Sequence, residues 1–360
     1  MIRLTKPLAI DLFCGAGGLS LGLKNAGFKV VSAVEIDKEV AKTYAANHPE
    51  TKLIIKDIRK VNAEELLKPA KGKEIALVSG CPPCQGFSSL TAKYKQEDPR
   101  NELVLEMGRV IAEVQPKMVM LENVPGLAKR GRVVFDEFID LLKSNGYVVN
   151  WDILQLADYD VPQTRRRLVL LAGNGFRIEI PKATRASNAN IKPGLKHRLT
   201  VFDVIGNMRE RPVTLSYALK HGGPKKFNWH VVRDLTLLSK KRLKSLKTGQ
   251  DRLSLPEDLR PKCHKNNSKG FQNVYGRMSW DQVPPAITSG CTTPCMGRFG
   301  HPTQVRTISV REAALIQTFP KDYKFDTDFM DTACNLVGNA LPPKIAKHLG
   351  KACMNSHLGD

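Results

Sequence analysis

Four short apolar runs, Lys29–Val34, Lys52–Ile55, Ile75–Val78 and Met118–Leu121, each lead within a few residues to a chemically active side chain: Glu35, Asp57, Cys84 and Glu122. Between them lie stretches long enough for a helix, and an alternation of this kind predicts parallel strands joined by helical crossovers, an open α/β sheet. In such sheets ligands bind beyond the carboxyl ends of the strands, so one edge would collect two carboxylates from the first pair of strands and a thiol and a carboxylate from the second. Four strand ends in succession are hard to ascribe to chance.

An earlier strand, Pro7–Phe13, opens the pattern and turns through Cys14-Gly15-Ala16-Gly17-Gly18-Leu19-Ser20 into a helix spanning Leu19–Asn25. Glycines at that point let a ligand approach the backbone at a helix amino terminus, although the match to Gly-x-Gly-x-x-Gly fails at its third position, Ser20. Glu35, eighteen residues beyond Gly17, can bind both hydroxyls of a ribose, and Asp57 can accept from an exocyclic amine such as that of adenine. These features point to an adenosine site. Taken alone they fit a nicotinamide enzyme equally well. The second acidic strand end and the cysteine that follows favour S-adenosylmethionine over NAD.

The cysteine sits in Ser79-Gly80-Cys81-Pro82-Pro83-Cys84-Gln85-Gly86-Phe87-Ser88, where prolines fix the approach and Gly86 permits a tight departure. A nucleophile is mounted in this way. A redox Cys-x-x-Cys, a zinc half-site and a chance pair of thiols stay open for the loop by itself. A long polar stretch, Ser88–Asn101, precedes the helix Glu102–Glu113 and reads as a loop able to close over a substrate. Further on, helix 133–145 and strand 147–154 lead to Gln163-Thr164-Arg165-Arg166-Arg167 and the buried strand Leu168–Ala172. In an extended segment Arg165 and Arg167 share a face and Arg166 takes the other.

In these motifs the chain resembles the C5-cytosine-specific DNA methyltransferases of bacterial restriction-modification type. The resemblance rests on Asp11-Leu12-Phe13-Cys14-Gly15-Ala16-Gly17-Gly18, Pro83-Cys84-Gln85, Glu122-Asn123-Val124 and Gln163-x-Arg165-x-Arg167, in the family's order. It continues through Arg306–Ala314 and Gln317–Pro320, similar to the hinge motif, and Gly338-Asn339-Ala340-Leu341-Pro342-Pro343, similar to the last cofactor motif. Departures are mild: Cys14 where small residues vary, an additional Cys81, and Leu341 where Val is usual.

The resemblance implies a Rossmann-like S-adenosylmethionine-dependent methyltransferase sheet with a smaller, irregular target-recognition domain. The expected division is a catalytic and cofactor domain over 1–180, target recognition over 181–305, a hinge over 306–337 and a return over 338–360. It assigns the catalytic set to Cys84, Glu122, Arg165 and Arg167. Glu122 would hold N3 and the exocyclic amine of the cytosine, Arg167 would hold O2, and Arg165 would support the cysteine loop. Cofactor contacts would come from Phe13, Gly15, Gly17, Gly18, Glu35, Ile36, Asp57, Ile58, Pro83 and Asn339, with Asn339 in a tight turn. No metal is expected, since Cys263-His264 with Cys291 and Cys295 are too irregularly spaced for a zinc site.

Charge supports a polyanionic partner. The chain carries a net +21, and residues 182–306 hold 24 Lys+Arg against 7 Asp+Glu, a surplus of 17 within the insert. Such concentration fits double-stranded DNA, with phosphates giving affinity and a few base contacts giving sequence choice. A relative acting on transfer RNA would keep the same catalytic residues, but the large basic insert favours DNA. A binding protein without catalysis is opposed by the complete set of catalytic residue types. The eight cysteines lack a secreted disulfide pattern, and no run of eighteen apolar residues occurs. A reduced, soluble, cytoplasmic monomer associated with the nucleoid is expected, with room for a cognate restriction endonuclease acting separately. The three tryptophans, Trp151, Trp229 and Trp280, read as packing residues.

Overall fold

A computed structural model describes residues 6–83, 102–262 and 274–358. The chain divides into two compact units, the first comprising residues 1–159, 166–184 and 341–360 and the second residues 160–165 and 185–340. The first is built on a seven-stranded sheet of β1 (Leu8–Leu12), β2 (Lys29–Glu35), β3 (Lys52–Ile55), β4 (Ile75–Gly80), β5 (Met118–Asn123), β6 (Tyr147–Gln155) and β7 (Arg166–Asn174). Their order is β3-β2-β1-β4-β5-β7-β6. The first five are mutually parallel, and β7 runs antiparallel to both β5 and β6. This is the mixed α/β sheet expected of a Rossmann-like methyltransferase.

Burial explains the sequence pattern. β1, β4 and β5 are buried at every position, as strands covered on both faces must be, and hence read as apolar runs whose polar residues, Asp11, Ser79, Glu122 and Asn123, fall toward their carboxyl ends. The edge strand β6 shows a mixed pattern and leaves Trp151 at 36% exposure, edge-on to Phe135, so this tryptophan is only partly a packing residue. Helix α1 (Gly18–Ala26) follows β1, and α2 (Lys38–Asn47) follows β2. Asp37 caps α2, accepting from the Glu39 and Val40 amides. After the short α3 (Ala63–Leu67), α4 (Leu103–Val114) buries Leu103, Val104, Met107, Val110 and Ile111, one helical face, beside α5 (Arg132–Ser144). Each such fully buried side chain contributes about 1.5–3 kcal/mol of apolar transfer energy.

The second unit has little sheet. Among the described residues its helices are α6 (Val201–Ile205), α7 (Leu215–Lys220), α8 (Leu237–Ser245), α9 (Val310–Ile316) and α10 (Met330–Asn339), and its strands are two residues long. Within 182–306, the stretch that the sequence marks as loops and short strands, the described residues add three short helices, α6, α7 and α8, to the loops and two-residue strands. Few regular ladders exist to satisfy main-chain carbonyls, and buried arginines take over that role. Arg277, 4% exposed, donates to the carbonyls of Leu243 (2.8 Å), His301 (2.7 Å) and Gln304 (2.6 Å). Arg311, 3% exposed, donates to those of Asn228 (2.9 Å) and Tyr323 (2.8 Å). Part of the basic surplus is therefore internal scaffolding and is closed to any partner. Trp229 is fully buried and donates its indole N–H to the Phe325 carbonyl at 2.9 Å.

The chain returns to the first unit as α11 (Pro343–Leu358), which packs on α1. Gly22 permits this approach: a Cβ there would lie 2.3 Å from the Cβ of Ala346 and 2.6 Å from the Pro343 carbonyl oxygen. Any larger residue would push the helices apart. No helix among the described residues is long and apolar enough to cross a membrane.

Candidate active site

Order along the sheet reverses between β1 and β4, which makes the carboxyl ends of these two strands a switch point of the kind where open α/β sheets bind ligands. Beyond β1 the chain leaves the usual backbone regions: Phe13 has φ 60°, Gly15 53° and Gly17 88°. The turn is closed by the Gly17 amide donating to the Cys14 carbonyl at 2.9 Å, and the Cys14 amide ties it to Val34 at 2.9 Å. Glu35, at the end of β2, accepts from the Gly15 amide through Oε2 (3.0 Å) and from the Asp37 amide through Oε1 (2.9 Å). Burial raises its carboxyl above the ordinary range, and the amide donors pull the other way.

Asp57, just past β3, accepts from the Arg59 amide at 3.0 Å and pairs with its guanidinium at 3.4 Å. Ile36 stands 64% exposed, whereas Ile58 packs into the core. A Cβ at Gly15 would meet nothing within 4 Å, so the turn opens onto free space there. An open glycine turn, two carboxylates at neighbouring strand ends and an exposed isoleucine form a donor set that fits an adenosine ligand carrying a positive charge. Beneath the turn Asp11 is fully buried, with Oδ2 accepting from the Ser20 hydroxyl at 2.6 Å and Oδ1 without a hydrogen-bond partner. Desolvation raises its pKa to about 7.

Beyond β4 the Cys81 amide points to the Leu12 carbonyl at 3.4 Å, and the Asn123 side chain donates to the Pro82 carbonyl at 3.1 Å. The approach to Pro83 is thereby pinned to the end of β5. Cys84 and the polar stretch that follows it lie outside the described residues. Glu122, 8% exposed, pairs with Arg167, whose Nε lies 2.7 Å from Oε1. The antiparallel register that sets Glu122 opposite Val169 brings Arg167 beside it from two residues further back along β7. Cys81 belongs to the same cluster. Burial, the negative charge of Glu122 and a hydrogen bond to it push the Cys81 thiol well above its ordinary pKa. The parallel register that pairs Gly80 with Leu121 carries Cys81 to the level of Glu122, and that register is not legible from the sequence.

Arg165 and Asn339 belong to the second unit. Arg165, 6% exposed, donates to the carbonyls of Ile287 (2.7 Å) and Gly338 (3.3 Å), while Arg166 is exposed, so the alternation read from the sequence is present. Asn339 is exposed and forms the last residue of α10, in place of the tight turn expected from the sequence; Gly338 within the helix lets the Thr288 main chain approach, since a Cβ there would lie 2.2 Å from it. Cys263 and His264 lie outside the described residues, Cys291 is buried and Cys295 exposed. Among the described residues no cluster of three or more His, Cys, Asp or Glu is placed to hold a metal.

The family model for C-5 cytosine-specific DNA methylases matches residues 8–355. The chain is 35% identical to the Type II methylase M.HgiDII of Herpetosiphon aurantiacus, over 95% of this chain and 94% of that one. It is 32% identical to the Type II methyltransferase M1.HphI of Haemophilus parahaemolyticus, over 98% of this chain and 87% of that protein. In fold it is similar to an E. coli prophage-encoded protein described as a DNA modification methyltransferase, with a TM-score of 0.73 at 23% identity, covering 99% of this chain and 100% of the other.

Proposed function

The chain belongs to the C-5 cytosine-specific DNA methylase family, and from that premise we propose that it methylates C5 of a cytosine within a specific duplex sequence, on a flipped-out base, through a covalent bond from Cys84 to C6. The observation that carries this reading is the Glu122–Arg167 pair, 2.7 Å apart at the strand edge from which the cysteine loop departs. Cytosine is a poor nucleophile at C5. Addition of a thiolate at C6 makes C5 electron-rich, and negative charge then gathers on N3 and O2. A carboxylic group at N3 and a guanidinium at O2 meet that charge where it develops. These are the roles proposed for Glu122 and Arg167.

S-adenosylmethionine supplies the electrophilic methyl group when bound. Phe13, Gly15, Gly17 and Gly18 would present main chain to it, Glu35 its carboxylate to the ribose, and Asp57 its carboxylate to the adenine amine. Ile36, Ile58 and Pro83 are proposed as apolar neighbours, and Asn339 as a polar contact from the last motif. After transfer C5 loses its proton and the Cys84 thiolate leaves by elimination, restoring the aromatic ring. Neither face of a stacked base is open to both the thiol and the methyl donor, which is why the base must leave the helix. Arg165 supports the loop geometry. The basic unit is proposed to bind and read the duplex, and the protein to work as a cytoplasmic monomer alongside a separate cognate endonuclease. The names of its Type II relatives support that last role.

Bisulfite sequencing of plasmid DNA from cells expressing the protein tests the proposal. Protection of one cytosine in every copy of a short motif is the expected result. Absence of any protected cytosine, with soluble protein present, would overturn it.

A further inference from the structure

We propose that His48 is a positioning residue for the cofactor turn: its Nε2–H, donated to the Gly17 carbonyl, holds the turn in the shape that binds S-adenosylmethionine. This rests on the cofactor reading given above. His48 terminates α2 and is 1% exposed. Its Nε2 lies 3.2 Å from the Gly17 carbonyl oxygen, and its Nδ1 lies 2.5 Å from the Lys24 ammonium. A carbonyl can only accept and an ammonium can only donate. The proton must therefore sit on Nε2, and Nδ1 must be a lone pair.

Neighbouring groups keep the ring neutral and in place. Desolvation, reinforced by the Lys24 cation, lowers the His48 pKa to about 4 against an opposing pull from Glu50 and the Gly17 hydrogen bond. Lys24 is itself paired with Glu50. The Tyr44 ring packs against the imidazole at 4.6 Å between centroids, and the Tyr44 hydroxyl bonds the Ser20 hydroxyl at 2.7 Å, which in turn donates to Asp11. His48 thus packs against the ring of a tyrosine whose hydroxyl is tied through Ser20 to Asp11 of β1, and it makes its own polar contacts with Lys24 of α1 and with the turn.

The turn takes an additional restraint from this donor. Gly17 is the N-cap of α1, stands at φ 88°, and offers no side-chain cap. Glycine is the residue whose backbone is least restrained by its own chemistry. Its carbonyl already accepts the first helical bond from Leu21 at 2.9 Å, and the imidazole adds a second donor that fixes the carbonyl direction. Gly17 lies two residues from Gly15, where the turn opens onto free space, and its amide closes that turn on the Cys14 carbonyl at 2.9 Å, so a shift of the Gly17 peptide is passed along the turn to its open side.

Calorimetric titration with S-adenosylmethionine and nitrogen-15 spectroscopy of the histidines provide the test. His48→Phe keeps a planar ring without the donor and is expected to weaken binding by about threefold to tenfold, the worth of one hydrogen bond. His48→Gln, whose amide reaches the Nε2 position, should recover most of that loss. Wild-type His48 should show the neutral Nε2–H form at pH 7, and its signal should move when cofactor is added. Binding by His48→Phe equal to wild type would overturn the proposal alone, as would a wild-type signal that is unchanged by saturating cofactor or shows an Nδ1–H ring. The wild-type measurements stand even if a variant does not fold. Wild-type protein that binds no S-adenosylmethionine would overturn the cofactor reading itself.

Discussion

Gln163 and Gln317, both fully buried, stand with their amides in series, Gln163 Nε2 donating to Gln317 Oε1 across 2.6 Å. The direction of the chain is fixed at both ends. The Ile287 amide donates to Gln163 Oε1 at 3.1 Å, and Gln317 Nε2 donates to the Val337 carbonyl at 2.6 Å. Turning either amide over would set donor against donor or acceptor against acceptor. Arg165 meets the next carbonyl, that of Gly338, so side chains from two distant motifs satisfy carbonyls at the end of α10 that the helix itself leaves open.

Gln317→Leu removes the link and takes the side-chain donor from the Val337 carbonyl, while Gln163 Nε2 keeps its longer bond to the Ile316 carbonyl at 3.3 Å. The variant is expected to lose about 1–3 kcal/mol of unfolding free energy, one unsatisfied buried group's worth. Urea denaturation of wild type and variant measures it. A loss under about 1 kcal/mol would mean that water or a rearranged amide replaces the chain.

Cys81 and Cys84 should separate cleanly. Burial, reinforced by the negative charge of Glu122, holds the Cys81 thiol in its protonated form, which is a poor nucleophile. Cys84→Ser is expected to reduce methyl transfer below detection, and Cys81→Ser to retain most of it. A complex trapped on duplex DNA containing 5-fluorocytosine should also depend on Cys84 alone, because fluorine blocks the final elimination. The opposite pattern in labelled-methyl transfer and in the trapping gel would move the nucleophile to Cys81.

The sheet was legible because its signals are local. Lys52–Ile55 ends where the alternation predicts, and β1, β2 and β5 agree within a residue or two. Helix α2 carries a weaker signal, since its buried residues are only Ala41, Thr43 and Tyr44, and it goes unread without the Asp37 cap. The second unit resists reading for a different reason: Arg277 and Arg311 look like surface charge in the sequence and are interior ties in the fold. The same applies to the site. Glu35, Asp57 and Glu122 announce themselves at strand ends, but His48 reaches back 31 residues to Gly17 and no spacing marks it.

Asp11 predicts a pH dependence of stability. Its folded pKa of about 7 lies above the ordinary 3.8, so folding favours the protonated carboxyl. The contribution is complete below pH 3.8 and is lost as pH rises through about 7. Wild type should therefore lose stability between pH 5 and 8 by this route, and Asp11→Asn, which still accepts from Ser20, should flatten that part of the curve. Urea midpoints at the two pH values give the comparison. Parallel curves for the two proteins would show that Asp11 is already ionised, or equally so when unfolded, at pH 5.

The second unit gives the last prediction. On α8, Lys240, Lys241 and Lys244 are exposed, whereas Arg242 donates to the Leu259 carbonyl at 2.7 Å and covers the Tyr275 ring at 5.0 Å. Replacing the three lysines with glutamine should weaken binding to all duplexes alike and reduce the salt slope by up to about 1 per lysine. Arg242→Ala should instead lower stability, since it removes a tie that the fold uses. Base readout is a separate matter. Exchanging residues 182–306 for the corresponding stretch of a relative with a different known site should move the methylated sequence and leave the chemistry at C5, because Glu122, Arg167 and the Cys84 motif stay in place. Bisulfite maps of plasmids from an active chimera decide it. An active chimera that still marks the parental sequence would place sequence recognition outside this stretch.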